Sequence, residues 1–123
     1  MKRCMIIDDS SVIRKVARRI LHGPDMEIVE AGTGREALAM CAVDMPEIVV
    51  VDATLPDIEL VDFVRQVRAI EAPVVPDVYI CMPELELGTI MRAKRAGAKG
   101  YILKPFDRSQ LLQRFRQLQQ KAA

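Results

Sequence analysis

Two neighbouring acids end the first apolar run of the chain. Asp8 and Asp9 follow residues 4–7, a short run that is typical of a buried strand. Two like charges about 4 Å apart repel each other by roughly 4 kcal/mol at an effective dielectric constant of about 20. A divalent cation removes that cost, because carboxylate oxygens are the ligands that Mg²⁺ prefers. The pair therefore predicts a magnesium site.

Two further charged residues follow later apolar runs. Asp52 comes directly after residues 48–51, and Lys104 follows the run 100–103. A phosphoryl group beside the metal would be held on its other side by the Lys104 ammonium, while a third carboxylate attacks it, as in enzymes that form acyl phosphates. These residue types predict phosphoryl chemistry if the fold brings them together.

Apolar runs of strand length alternate with segments of helical period along the whole chain. Right-handed crossovers between successive strands then require a parallel sheet between two layers of helices, a doubly wound α/β sandwich of five βα units. The carboxyl ends of parallel strands share one edge, so three acids and one lysine converge there. The predicted strands are 4–7, 26–31, 48–51, 78–82 and 100–103, and the predicted helices are 12–21, 34–43, 61–68, 84–96 and 111–118.

The bulk properties narrow the class of protein. With 123 residues we expect one domain, residues 1–123, and no output domain. Half of the residues are hydrophobic and the net charge is +1, which favours a globular protein over a disordered chain or a generic binder of polyanions. Aromatic residues make up 4%, which disfavours base stacking and nucleic acid as a partner. We expect a cytoplasmic protein without a signal peptide or membrane partner.

The cysteines and the histidine predict structure rather than chemistry. Cys4, Cys41 and Cys81 are far apart and lie in apolar stretches, so we expect small buried side chains and no disulfide framework or zinc site. His22 precedes Gly23-Pro24 and is expected to end the first helix rather than to carry a phosphoryl group.

Five ordered motifs resemble the receiver domain of two-component response regulators, closest to the single-domain chemotaxis type. The resemblance implies the flavodoxin-like strand order 2-1-3-4-5. It covers essentially the whole chain. The motifs are Asp8-Asp9-Ser10, Asp52 followed by Pro56, Ala96-Gly97-Ala98, Gly100-Tyr101 and Lys104-Pro105-Phe106.

The same resemblance implies roles for individual residues. Asp52 is the expected phosphoacceptor, and Asp8, Asp9, Asp52 and the backbone carbonyl of Thr54 are the expected Mg²⁺ site. Lys104 is expected to contact the phosphoryl group, and its bond to Pro105 is expected to be cis.

The resemblance also implies partners. The phosphodonor would be a histidine kinase or a histidine phosphotransfer protein, and a protein target would bind the face formed by the fourth helix, the fifth strand and the fifth helix. Catalysis would be limited to the chain's own phosphotransfer and dephosphorylation, so the protein is not expected to be an enzyme. We expect a monomer or a weak dimer.

Met82 departs from the family pattern at the end of the fourth strand, where the family has Ser or Thr. The family hydroxyl donates to the phosphoryl oxygen, and a thioether has no proton to donate. A hydrogen bond to a charged group is worth about 1.5–3 kcal/mol, which is comparable to an allosteric coupling energy. We expect phosphorylation of Asp52 to survive while its transmission to the fourth helix, with Tyr101 as the second switch position, is weakened or rerouted.

Other departures surround the site. Leu60 replaces a usual Gly, which predicts an unusual path for the loop after Asp52, with Asp57, Glu59 and Asp62 adding negative charge near the metal. Glu84 and Thr54 are candidates for tuning the lifetime of the phosphoryl group. The start of the fourth helix is expected to be frayed, because Met82 is a poor N-cap.

Three other functions stay open from the sequence. A Mg²⁺ phosphohydrolase with an aspartate nucleophile is disfavoured, since those enzymes generally carry both acids on one strand. A phosphorylation-independent interaction module is favoured by Met82, and a phosphate sink or relay protein fits the same residues. The basic residues of the first helix are either a solvated face or a docking surface for the phosphodonor: Arg14, Lys15, Arg18 and Arg19.

Overall fold

The chain folds into five strands that alternate with five helices. A computed structural model describes residues 2–120, and within them the predicted succession of βα units is confirmed. In chain order the elements are β1 (Lys2–Ile7), α1 (Ser11–Leu21), β2 (Met26–Ala31), α2 (Gly34–Val43), β3 (Ile48–Asp52), α3 (Leu60–Ala69), β4 (Asp77–Met82), α4 (Leu87–Ala96), β5 (Gly100–Leu103) and α5 (Arg108–Gln120).

The strands form one parallel sheet in the order β2-β1-β3-β4-β5, as the resemblance implies. Strand β3 lies at the centre, and all of its residues are buried. In the register of the sheet Ile7 pairs with Val51. Asp8, which follows β1, and Asp52, which ends β3, are therefore brought side by side at the carboxyl edge.

Side chains that alternate along each strand divide the core into two halves. Successive residues of a strand point to opposite faces of the sheet. On β4, Ile80 and Met82 belong to the half that packs on α2, α3 and α4. Tyr79 and Cys81 belong to the half that packs on α1 and α5. Because helices cover both faces, the strands are apolar on both sides, which explains why the central runs lack polar alternation.

Hydrogen bonds from nearby residues cap both ends of α1. Ser10 is the N-cap of α1, and its hydroxyl accepts a hydrogen bond from the Ile13 amide at 3.3 Å. His22 lies at the other end of α1, where its amide donates to the Arg18 carbonyl. Within residues 2–120 no helix combines the length and the apolar character needed to cross a membrane.

Helix α4 begins later than predicted, at Leu87 rather than at residue 84. Met82 is held in β4 by its pairing with Leu103, and its carbonyl accepts a hydrogen bond from the Lys104 amide at 2.9 Å. The chain therefore needs residues 83–86 to turn from the strand into the helix. Glu86 occupies the N-cap position of α4 and makes no side-chain capping hydrogen bond.

The loop between β3 and α3 carries acids that bind the N-termini of helices. The Asp57 carboxylate accepts hydrogen bonds from the Gly34 and Arg35 amides, each at 2.9 Å, and so binds the N-terminus of α2. The hydrogen bond from the Arg35 amide lowers the pKa of Asp57. Glu59 caps α3 in the same way. These two acids therefore bind the N-termini of α2 and α3, and their contribution of negative charge near the metal stays a prediction.

Leu60 is accommodated without strain at the position where the family usually has glycine. It is the first residue of α3, and its side chain is buried. Among residues 2–120 no residue other than glycine has a positive φ angle. The departure therefore fills the core instead of distorting the backbone.

Candidate functional site

Three carboxylates meet at the carboxyl edge of the sheet. Asp8, Asp9 and Asp52 each place one oxygen so that all three lie within 4.8 Å of one another. Asp8 and Asp52 are buried, whereas Asp9 is exposed. The structure thus brings together the acids predicted from the ends of the first and third strands.

The Lys104 ammonium lies among these acids. Its Nζ donates to Asp8 Oδ2 at 2.8 Å and lies 3.2 Å from Asp52 Oδ1. The following peptide bond to Pro105 is cis, as the resemblance implies. Lys104 comes from the end of β5, two strands away from β3, so its placement depends on the sheet order.

Asp8 and Asp52 are oriented by backbone amides. The Ser10 amide donates to Asp8 Oδ1 at 2.9 Å, and the Thr54 amide donates to Asp52 Oδ1 at 3.3 Å. The Asp8 amide donates to the Ala31 carbonyl at 3.2 Å. Thr54 therefore contributes its amide to the phosphoacceptor candidate, and metal binding by its carbonyl stays a prediction.

The buried charges shift one another's proton affinity. Burial raises the pKa of Asp52; the Lys104 charge acts in the lowering direction, and the Asp8 charge raises it. Burial acts to lower the pKa of Lys104, but hydrogen bonding and attraction by Asp8 together with Asp52 outweigh it and raise that pKa. Lys104 is therefore a stable cation beside a carboxylate that is more basic than usual.

The residues fit a magnesium ion. Three carboxylates and one ammonium carry a formal charge of −3 + 1 = −2, which one divalent cation neutralises. Mg²⁺ binds oxygen at 2.0–2.1 Å in octahedral geometry, so its ligand oxygens lie about 3–4 Å apart. The separations among the acidic oxygens need only a small contraction to reach that geometry. Asp8, Asp9 and Asp52 would hold the ion.

The two switch positions have different surroundings. Met82 is fully buried in the half of the core formed with α2, α3 and α4. Tyr101 is half-buried, and the Arg114 guanidinium lies 4.3 Å above the centre of its ring. Arg114 Nε also donates to the Tyr101 carbonyl at 2.8 Å. The sequence does not single out Arg114, because a stacking partner on another element leaves no local pattern.

The two candidates for tuning the phosphoryl lifetime are exposed. Thr54 lies in the loop after β3 and Glu84 in the loop after β4. Both loops follow the carboxyl edge of the sheet, where the acids lie.

The basic residues of α1 are bound within the chain. Glu30 of β2 accepts hydrogen bonds from Arg14, Lys15 and Arg18. Burial acts to raise the pKa of Glu30, but these three hydrogen bonds outweigh it and lower that pKa. The predicted basic surface of α1 is thus partly neutralised, which weakens its interpretation as a docking surface. Arg19 remains exposed.

Comparison with known proteins identifies a family for nearly the whole chain. A family model described as the response regulator receiver domain matches residues 4–116. The chemotaxis protein CheY of Thermotoga maritima is 29% identical over 91% of this chain and 92% of its own length. The KDP operon transcriptional regulatory protein KdpE of Escherichia coli is 33% identical over 94% of this chain and 50% of its own length.

The solved structures agree with this match. The chemotaxis protein CheY4 of Vibrio cholerae superposes with a TM-score of 0.87 at 26% identity, over 96% of this chain and 98% of that protein. The predicted doubly wound fold is thus confirmed by a structural relative as well as by the strand order.

Proposed function

This chain belongs to the response regulator receiver domain family, and from that premise we propose that it accepts a phosphoryl group on Asp52 in a Mg²⁺-dependent reaction and signals by protein contact. The observation that supports the proposal is the meeting of Asp8, Asp9 and Asp52 with the Lys104 ammonium at one edge of the sheet. The phosphodonor is a histidine kinase or a histidine phosphotransfer protein. We also propose that the protein acts as a single domain in the cytoplasm and that it is a monomer or a weak dimer.

The reaction uses the residues in distinct roles. An Asp52 oxygen attacks the phosphorus of a phosphohistidine donor, and the new oxygen–phosphorus bond forms as the nitrogen–phosphorus bond breaks. The Thr54 amide orients the Asp52 carboxylate. Lys104 stands beside Asp52, where its ammonium can turn to the oxygens of the transferred group. Asp8, Asp9 and Asp52 would hold Mg²⁺, which would supply positive charge to the transferred group.

The proposed target contacts the surface of α4, β5 and α5. The described side chains there include three exposed apolar residues, Leu87, Met91 and Leu103. A groove of about 470 Å³ runs between β5 and α5 and includes Tyr101 and Arg114 in its wall. Exposed apolar side chains beside a groove suit a protein partner. The groove also reaches Lys104, which connects it to the phosphorylation site.

The experiment that tests the proposal is phosphorylation by acetyl phosphate. The native chain should gain the mass of one phosphoryl group in the presence of Mg²⁺, and chelation of the metal should abolish the gain. Asp52→Asn, which keeps the side-chain shape, is the matched control and should gain nothing. An unchanged mass in the native chain, or an equal gain in the variant, would contradict the proposal.

A second candidate function is an interaction module whose output ignores phosphorylation. The observation that favours it is Met82, which offers no hydroxyl to the phosphoryl group and is fully buried. The two candidates differ in a measurable way: only the switching receiver changes the environment of α4 when Asp52 is phosphorylated. Amide chemical shifts of α4 before and after acetyl phosphate treatment decide between them.

A further inference from the structure

We propose that Arg14 is a positioning residue for the metal site, because it fixes the peptide plane between Asp8 and Asp9 and so aims the Asp9 carboxylate at the ion. The inference rests on the proposed function, since it concerns the same Mg²⁺ site. Arg14 Nη1 donates to the Asp8 carbonyl, and Arg14 Nε lies 3.1 Å from Glu30 Oε1. Its side chain is only 17% exposed.

Asp9 is the acid whose position most needs such support. The Asp8 carboxylate is held by the Ser10 amide and by Lys104. Asp52 is held by the Thr54 amide and Lys104. Asp9 is exposed, and its carboxylate receives no hydrogen bond from residues 2–120. Its direction therefore depends on its backbone.

The Asp8 carbonyl controls that backbone. It belongs to the planar peptide unit that also contains the Asp9 nitrogen. A hydrogen bond that fixes the carbonyl therefore fixes the plane and with it the position of the Asp9 Cα, from which the side chain leaves the chain. Arg14 makes this hydrogen bond from the first turns of α1.

Arg14 is itself held in place by Glu30. The Glu30 side chain is 10% exposed and also lies 2.7 Å from Arg18 Nη1. A planar guanidinium can bind the carboxylate through one nitrogen and the carbonyl through another, whereas a lysine ammonium is a single point charge. Arg14 thus connects strand β2 to the end of β1 through one rigid group.

The charge of Arg14 and its positioning role have opposite effects on metal binding. A cation near the acids repels Mg²⁺, so loss of the charge alone tightens metal binding. Loss of the positioning contact leaves Asp9 poorly aimed and weakens metal binding. The sign of the change in Mg²⁺ affinity therefore separates the two roles.

The inference is tested by calorimetric titration with Mg²⁺ alone at fixed ionic strength. The temperature is one at which circular dichroism shows that each protein is folded. We expect Arg14→Lys and Arg14→Met to raise the Mg²⁺ dissociation constant about tenfold. This is the lower end of the range for loss of a residue that orients a metal ligand. The matched control is Arg18→Met, which loses an equal charge and its own ion pair with Glu30, whereas Arg18 has no contact with Asp8. It should bind Mg²⁺ as tightly as the native chain or more tightly.

Each outcome has a separate meaning. Arg14 variants that bind Mg²⁺ as tightly as the native chain, or more tightly, overturn the positioning role. An equal weakening in Arg18→Met also overturns it, because the effect would then come from Glu30 alone. Arg14→Lys keeps the charge and supplies the result if Arg14→Met fails to fold. A native chain that binds no Mg²⁺ at millimolar concentration defeats the proposed function itself.

Discussion

Lys104 Nζ lies 2.8 Å from Asp8 Oδ2 and 3.2 Å from Asp52 Oδ1, so one ammonium joins the ends of β1 and β3. Among residues 2–120, Lys104 is the only side chain that forms an ion pair with both buried acids. It therefore occupies the space between the two acids and reduces their mutual repulsion.

Replacing Lys104 should tighten metal binding. Lys104→Met leaves three carboxylates without a nearby ammonium, so the acids gain more from a divalent cation. We expect the Mg²⁺ dissociation constant to fall about tenfold, the equivalent of about 1.4 kcal/mol, a modest share of the attraction between close charges. Calorimetry with Mg²⁺ measures it.

The control for this substitution is Lys94→Met. Lys94 is an exposed cation of α4 and makes no ion pair with residues 2–120. The Lys94→Met substitution removes the same formal charge outside the acidic cluster, and the affinity of this variant for Mg²⁺ should match that of the native chain. A Lys104→Met chain that binds Mg²⁺ no better than this control would show that the ammonium does not compete with the ion.

Restoring the family hydroxyl at position 82 should strengthen the coupling to α4 at a cost in stability. Met82 is fully buried, so Met82→Thr removes packed volume and should lower the free energy of unfolding by about 2–4 kcal/mol. With acetyl phosphate and Mg²⁺, the amide shift changes that reach α4 in the native chain should be small, because its coupling is weakened. In Met82→Thr the shift changes of α4 and Tyr101 should be larger.

Met82→Leu separates the hydroxyl from the packing. This swap nearly conserves volume and should cost less than about 1.5 kcal/mol in urea unfolding. Its amide shifts after phosphorylation should resemble those of the native chain. If Leu and Thr at position 82 extend the shift changes equally, the hydroxyl argument is wrong and packing controls the coupling.

Glu30 should stabilise the fold at neutral pH and lose that effect in acid. Burial opposes ionisation of Glu30, but hydrogen bonds from Lys15, Arg18 and Arg14 hold its pKa below the ordinary value. A lowered pKa in the folded state means that the stabilisation is present above the unfolded pKa, about 4.3, and disappears as the pH falls through the folded pKa.

Urea unfolding of Glu30→Gln measures this contribution. The variant should be less stable than the native chain by about 1 kcal/mol at neutral pH, and the difference should shrink below about pH 4.3. Glu71→Gln serves as the control, since Glu71 is exposed and has no ion pair within residues 2–120. A difference that is constant with pH would contradict an ionic origin.

The thiols should react only when the protein unfolds. Burial raises the pKa of Cys4 and of Cys81 to about 12, and that of Cys41 to about 11. Because of these raised pKa values, the thiols stay protonated in the folded state at a pH where they ionise in the unfolded chain. The free energy of unfolding should therefore fall as the pH rises above the pKa of an unfolded cysteine, about 8.5. A disulfide reagent near neutral pH should label all three thiols at the rate of unfolding. Rapid labelling of the native chain would contradict their burial.

The sequence predicts the sheet and the acidic cluster because both follow from regular patterns. Continuous apolar runs such as 48–51 are typical of a central parallel strand, and parallel strands place Asp8 and Asp52 at one edge. The predicted bounds of α1, α2 and α3 lie within one residue of those observed, whereas α5 begins three residues before its predicted start at 111. The start of α4 was predicted wrongly, because the pairing of Met82 with Leu103 is a tertiary constraint.

The remaining features depend on contacts between elements that are distant in sequence. Asp57 caps α2 from 22 residues away along the chain, and Arg114 stacks on Tyr101 across 13 residues. No periodicity marks such partners, since each residue also suits a solvated surface. The hydrogen bond from Arg14 to Asp8 likewise needs coordinates, because a basic residue on a helix face usually points to water.

The division of the core into two halves has a consequence for how the protein can vary. Met82 and Cys81 are neighbours in sequence, yet they fill opposite sides of the sheet. Position 82 can therefore exchange hydroxyl for thioether while α1 and α5, on the far side, keep their packing. The packing of α4 against one face of the sheet can therefore change at position 82 without rebuilding the packing on the opposite face.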